Sequence, residues 1–433
     1  MTVGYLHRVL PADLSAGMPP IGERWGGFGD SSHVDTRELV LGALDTNAWL
    51  QTVLRAKGQT REQFAGFLGS LRRPRTGERA LFFEHALLPH GPSRFLPSGR
   101  EYRPVSDPDA LRENLRRWLP APLLVEQALQ HHLLQVGYTD TLVGALVRRL
   151  KAVGLYDRAL VVVVADHGIS FEPGGSARVV TKENISDIAG VPLFVKYPGQ
   201  RHGTVDARAA ETIDVVPTIA EVIGVRIPWH VDGRSLRAAP VERTVTVSSG
   251  SGPESASPAA VASGVRATAR RNASLFGEGH DSMYRIGPHP ELLGRIVGVP
   301  RGAAADRDDV SLEDPEQFTD VRTRSLFVPT LIEGDVDADA GPRGQALAIA
   351  VDGRIAATTA TYADGGHNHF TALVPEGAFP HGANSVDVYR LRGGAGGVRL
   401  SRLGGTPRGR PAMQRVRQEA RSKSTTEQDV TAG

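Results

Sequence analysis

The 433-residue chain contains no cysteine, which excludes disulfides, thiolate nucleophiles, zinc knuckles and iron–sulfur ligation together. Any metal must be held by histidine and carboxylate. Long apolar runs are missing as well: the longest, Ala159 to Ala165, is far short of the roughly 20 residues that cross a bilayer. No transmembrane segment is therefore expected, and the N-terminus shows no charged-then-apolar export signal. Nor is one sign of charge in excess. Lys+Arg (50) against Asp+Glu (48) leaves a net charge of +2, without the basic surplus of a nucleic-acid binder, so no nucleic-acid partner is expected. Lysine is scarce, standing only at Lys57, Lys151, Lys182, Lys196 and Lys423.

What is present suits a folded chain of one to three domains, with 23% charged and 40% hydrophobic residues. The opening MTVGYLHRVLP reads as a strand running into a loop, and a helical stretch follows at about 36–71. ERALFF begins as a short strand that breaks at the prolines of LPHGP. From Leu124 to Val153, Leu129, Leu133, Val136, Leu142, Val143, Leu146 and Leu150 recur at helical spacing, with Gly154 as the C-terminal cap. ALVVVVADHG comes next; its unbroken β-branched run is that of a strand buried on both faces, as in a parallel sheet. VPLFVKY is a second strand, and ETIDVVPTIAEVIG a helix with Pro217 in its first turn and Gly224 after its last. The Ser/Gly/Pro/Ala-rich 247–264 reads as a linker or exposed loop. Beyond it the period becomes two: QALAIAV and RIAATTATY flank a type I′ turn at Asp352-Gly353, and HFTALVP and NSVDVYRL continue the pattern.

Asp166 and His167 carry the strongest chemical signal. A hard oxygen and an imidazole adjoin at the carboxyl end of a strand, where open α/β sheets bind ligands, and Gly168 lets the backbone turn beside them. The pair either ligates a divalent ion, or Asp166 caps the next segment while His167 packs on the sheet. Other patterns do not complete a site. Asp335, Asp337 and Asp339 have the opening spacing of a calcium loop, but Ala340 and Ala346 stand where Gly and Glu are required. GGHNHF, with His367 and His369, reads as a loop between strands, and the GGAGG beginning at Gly393 lacks the helix that a phosphate-cradling loop needs.

Taken together, LVGALVRRLKAVGLYDRALVVVVADHG, VPLFVKYPGQ, ETIDVVPTIAEVIGV and VDGRSL resemble, in order, the later part of the sulfatase branch of the alkaline phosphatase superfamily. The likeness runs over about 110 residues, Leu124 to Leu236, and more weakly upstream. It implies that Asp166 and His167 ligate a divalent metal, with Ca, Mn, Mg and Zn not distinguished by one oxygen and one nitrogen. The loop LPHGPSRFLPSGREY resembles the family's Pro-His-x-Pro loop, which assigns His90 to the sulfate or phosphate oxygens; an imidazole there can donate to an oxyanion, or it is a solvated loop histidine. His85 is read as structural. Lys182 stands at about the spacing of a substrate-binding lysine, a point charge suited to an anionic ester, and is otherwise an ordinary exposed lysine.

The family's nucleophile motif is not visible: without cysteine there is no Cys-x-Pro-x-Arg, and no Ser-x-Pro-x-Arg replaces it. No catalytic nucleophile is assigned, and two-step ester hydrolysis needs one. The expected fold is accordingly an incomplete alkaline phosphatase/sulfatase-like α/β sandwich over residues 1–237. A linker (238–265), a C-terminal β-rich domain (266–405) of immunoglobulin-like or carbohydrate-binding character and a disordered tail (406–433) follow. The expected function is metal-dependent hydrolysis of sulfate or phosphate esters by a fragment lacking its nucleophile. Two alternatives stand beside it: a phosphoglycerol- or phosphoethanolamine-type transferase of the cell envelope, and a non-catalytic glycan-binding remnant. The implied partner is a small anionic ester or an envelope glycan or lipid. Membrane anchoring with an extracytoplasmic catalytic domain is frequent in the family the chain resembles.

Overall fold

The computed structural model describes residues 59–406 apart from 75–79, 106–110, 113–116, 250–251, 298–308, 338–343, 365 and 395–396. The expected opening strand and the tail beyond residue 406 lie outside these residues. In chain order the elements are α1 (Gln59–Ser70), β1 (Ser93–Phe95), β2 (Glu101–Val105), β3 (Leu111–Arg112), β4 (Arg117–Trp118), α2 (Pro122–Ala152), β5 (Val161–Val164), α3 (Ile185–Ala189), β6 (Leu193–Lys196) and α4 (Val215–Ile223). There follow β7 (Val245–Ser249), β8 (Gly252–Ala256), α5 (Pro258–Phe276), β9 (Val310–Leu312), β10 (Leu331–Val336), β11 (Ala346–Val351), β12 (Arg354–Ala360), β13 (Tyr362–Asp364), β14 (His367–Leu373), β15 (Val386–Gly394) and β16 (Gly397–Gly405). Helices and sheets are thus mixed along the chain, and they fall into two compact units.

The first unit takes in the described parts of Met1–Leu88, Asp140–Ser170 and Arg178–Arg266. Arg149 closes the end of α1 by donating from Nε and Nη2 to the carbonyls of Leu68 (3.0 Å) and Leu71 (2.9 Å), which satisfies acceptors a helix C-terminus leaves open. Gly154, after α2, takes φ 68°, the left-handed conformation that its expected capping role requires. Gly224 does the same after α4. The strand of four valines differs from expectation. β5 pairs antiparallel with β6 in a two-stranded sheet, and it is not buried on both faces, since Val164 is 41% and Phe194 67% exposed. β-branched residues set strand propensity, whereas direction and cover are set by tertiary partners. The segment ERALFF also departs from expectation, because residues 80–87 form no regular element. Residues 238–265, expected as a linker, carry the β7–β8 hairpin and the start of α5.

The second unit comprises the described parts of Pro89–Thr139, Phe171–Ala177 and Ala267–Gly433. Its centre is a pair of four-stranded antiparallel sheets, ordered β13-β14-β10-β9 and β12-β11-β15-β16. Ile332, Phe370, Leu347, Ile349, Val386 and Val388 from both sheets share one apolar cluster. The alternate residues Ala348 and Ala350 join Tyr389, Leu391 and Leu292 in another, so β11 is covered on both faces as its period-two pattern of large and small apolar residues allows. Asp352 (φ 48°) and Gly353 (φ 77°) form the β11–β12 turn with positive φ at both positions, the type I′ geometry. The GGHNHF reading is corrected: His367 to Phe370 lie in β14, paired with β10, and Asp335 sits opposite His369 in register. Strand geometry is tolerated here because the polar side chains answer one another, His369 Nδ1 lying 3.0 Å from Asp335 Oδ1.

Candidate functional site

In the first unit, the chain leaves β5 through Ala165 and turns at Asp166-His167-Gly168. The turn is held by its own polar groups. The His167 amide donates to Asp166 Oδ1 at 2.9 Å, and His167 Nδ1 lies 2.9 Å from the carbonyl oxygen of Gly168. A carbonyl only accepts, so Nδ1 carries the hydrogen and the neutral ring keeps its lone pair on Nε2. Nε2 stands 3.7 Å from Asp166 Oδ2, and both side chains are solvent-accessible.

That arrangement suits a divalent ion. Two ligand atoms each about 2.0–2.2 Å from one centre can lie this far apart, and a histidine whose other nitrogen donates to a backbone carbonyl has the orientation of an ordinary metal ligand. Among the described residues no third histidine or carboxylate joins them, so the pair alone would fill only part of a coordination shell.

The turn is docked on α3. Gly168 N donates to Ile188 O at 2.8 Å, Ser170 Oγ donates to Asp187 Oδ2 at 2.7 Å, and a Cβ at position 168 would collide with the carbonyl oxygen of Asp187. Glycine is thus required here by close backbone approach rather than by positive φ. Lys182 lies exposed in the turn just before α3. Asn184 builds that turn, accepting from Thr181 N at 2.7 Å and donating to Val179 O at 3.0 Å. The strand-end pair and the lysine turn therefore share α3 as a scaffold. Thr181-x-x-Asn184 is the sequence signal for this turn, since asparagine side chains close turns on nearby backbone.

His90 belongs to the second unit. Its Nδ1 is 2.6 Å from Gly91 O, which fixes the hydrogen on Nδ1 by the same reasoning. The loop around it is gripped by Gln135 of α2, a residue that sequence reasoning passed over. Gln135 is fully buried, donates to Pro89 O (3.1 Å) and His90 O (2.9 Å), and accepts from Arg94 N (3.0 Å) and Phe95 N (3.3 Å). Its signal was available in part: Gln127, His131 and Gln135 recur at helical spacing along α2 and are all buried. His85, expected to be structural, is exposed and lies outside any regular element.

Residues 40–225 match the family model described as Sulfatase. The ulvan-active sulfatase of Formosa agariphila is 28% identical over 152 residues, covering 34% of this chain and 29% of that protein. Lipoteichoic acid synthase 2 of Bacillus subtilis is 31% identical over 113 residues, 24% of this chain and 17% of that protein. Among solved structures, the phosphonate monoester hydrolase SpPMH from Silicibacter pomeroyi shares 37% identity over 26% of this chain and 22% of that chain, at a TM-score of 0.24. The chain thus matches under a third of the length of each of these relatives.

Proposed function

We propose that the chain carries the divalent-metal and anion-binding part of an enzyme that hydrolyses sulfate or phosphate esters, with the nucleophile supplied by sequence outside these 433 residues. The observation that supports this most is the strand-end pair, in which the Nδ1–H of His167 is committed to Gly168 O and Nε2 faces the side of Asp166 Oδ2. Asp166 and His167 hold the ion. When bound, it would draw charge from the ester oxygens.

The remaining roles fall to the chain's own groups. Lys182, exposed on its Asn184-braced turn, offers a point charge to the anion. His90, with Nδ1 donating to Gly91 O, presents Nε2, which donates to an oxyanion when protonated and takes a proton when neutral. The transferase reading is favoured by the likeness to lipoteichoic acid synthase 2; in it the same groups hold a head-group phosphate that passes to an envelope acceptor.

Calorimetry with Mn²⁺ and Ca²⁺ on the 433-residue chain, and on Asp166→Ala and His167→Ala, tests the metal assignment. Binding by the parent that both substitutions abolish is expected; affinity unchanged by either would sink it. Turnover of aryl sulfate and aryl phosphate, by this chain and by a version extended through any upstream in-frame sequence, tests the chemistry. Free alcohol as product supports hydrolysis, whereas a head group appearing on an added acceptor supports the transferase.

A further inference from the structure

The buried amide of Gln135 has only one orientation that works. Its NH₂ faces two carbonyls, Pro89 O and His90 O, and its oxygen faces two amides, Arg94 N and Phe95 N. Exchanging oxygen and nitrogen would set donor against donor and acceptor against acceptor at all these contacts. One side chain therefore ties both ends of the His90 loop to α2, from residues 45 and 40 positions away in sequence. The Gly91 carbonyl lies between those anchors, and it is the atom that receives the Nδ1–H of His90.

We propose that Gln135 is the positioning residue of His90: by fixing the backbone on both sides of the loop it holds Gly91 O against Nδ1–H, so that the neutral ring is a single tautomer and the protonated ring directs Nε2–H at a tetrahedral oxyanion. The ligand class rests on the anion-binding role given to His90 above; the control of the tautomer does not. Gln135 touches neither ester nor ion and acts through the loop alone.

A matched control exists on the same helix. Gln127 is also buried and donates from Nε2 to Thr359 Oγ1 (3.1 Å) and Thr371 O (2.7 Å), contacts with the β-sheets rather than with the loop. Gln127→Met thus removes two buried amide donations to the sheets, and Gln135→Met removes two donations and two acceptances at the loop.

The experiment is ¹⁵N-histidine NMR of the full chain, reading the ring nitrogens of His90 before and after addition of inorganic sulfate. The parent and Gln127→Met are expected to show one Nδ1–H tautomer with well-separated ring shifts. Gln135→Met is expected to show averaged shifts and a sulfate response weakened by roughly tenfold or more. Should Gln135→Met not fold, Gln135→Glu keeps the acceptor for Arg94 N and Phe95 N, loses both donations, and is expected to give the same averaging. Ring shifts of His90 that match the parent in whichever variant folds overturn the positioning role. If the tautomer changes but parent His90 ignores sulfate, the positioning role stands and the anion-binding reading of His90 falls.

Discussion

Arg243 grips Asp214 in a two-pronged contact: Nη1 lies 2.8 Å from Oδ2, Nη2 lies 3.1 Å from Oδ1, and the carboxylate is only 1% exposed. Two backbone amides complete it, Glu211 N to Oδ2 at 3.0 Å and Arg234 N to Oδ1 at 2.7 Å. One helix turn on, Thr218 Oγ1 donates to Asp214 O and accepts from Leu236 N. Asp214 and Thr218 thereby fasten the start of α4 to the VDGRSL segment, and Gly233 is required because a Cβ there would strike the carbonyl of Ile213. Burial makes each partner depend on the other.

Removing Arg243 leaves Asp214 a buried charge on backbone amides alone, and removing Asp214 leaves Arg243 with Glu211 at 3.3 Å. Arg243→Met and Asp214→Leu are each expected to lower unfolding free energy by about 3–5 kcal/mol, and the double substitution by much less than their sum. Urea titration of the four proteins checks this; additive losses would show that the pair is not coupled.

Gly168→Ala is expected to lift the strand-end turn from α3, because the new methyl meets the Asp187 carbonyl and disturbs the Gly168–Ile188 hydrogen bond. A cost of about 1–3 kcal/mol is the ordinary consequence of such crowding. Thermal unfolding and Mn²⁺ calorimetry should both register it, whereas Gly199→Ala meets no neighbour within 4 Å and, despite its positive φ of 71°, is expected to leave metal binding unchanged.

His131, wholly buried beside Tyr102 with Nδ1 2.7 Å from the phenol oxygen, has its pKa pushed down from the ordinary 6.5 to about 4 by desolvation. Between those values the unfolded chain binds a proton that the folded chain refuses, so stability falls as pH drops through this window and is recovered above it. The span corresponds to roughly 3 kcal/mol. Unfolding free energy measured from pH 7 to pH 4 is expected to lose this slope in His131→Leu; a parallel curve would place the pH dependence elsewhere.

Glu84 has the opposite sign. Partial burial raises its carboxyl from 4.5 to about 7, so the folded chain holds a proton that the unfolded chain has released. Its contribution is present below pH 4.5 and is lost as pH rises through about 7. Glu84→Gln, which stays neutral, is expected to gain stability over the parent at pH 8 and to match it at pH 4 in thermal unfolding; an equal gain at both values would point to packing instead.

Local signals were legible wherever neighbouring residues carry them. The β11–β12 turn follows from Asp352-Gly353, the end of α4 from Gly224, and the place of Asp166 and His167 just past β5 from the apolar run before them. Pairing was not. β10 and β14 were obscured by Asp335 and His369, whose mutual contact makes a charged residue acceptable in a strand only once the register is known. The apolar stripe read on α2 included Val136, which is 38% exposed, while the buried face carries Gln127, His131 and Gln135. Their partners are remote in sequence, and a hydrophobic period does not report a satisfied buried amide.

The allocation of the chain between the units has a practical consequence for taking the molecule apart. The chain passes from one unit to the other after Leu88, Thr139, Ser170, Ala177 and Arg266, and the second of these passages falls inside α2. No single cut in the gene can yield both units whole. Dissection by terminal deletion is therefore the wrong tool here, and internal splicing, with α2 kept as one continuous rod, is the way to ask what either unit does by itself.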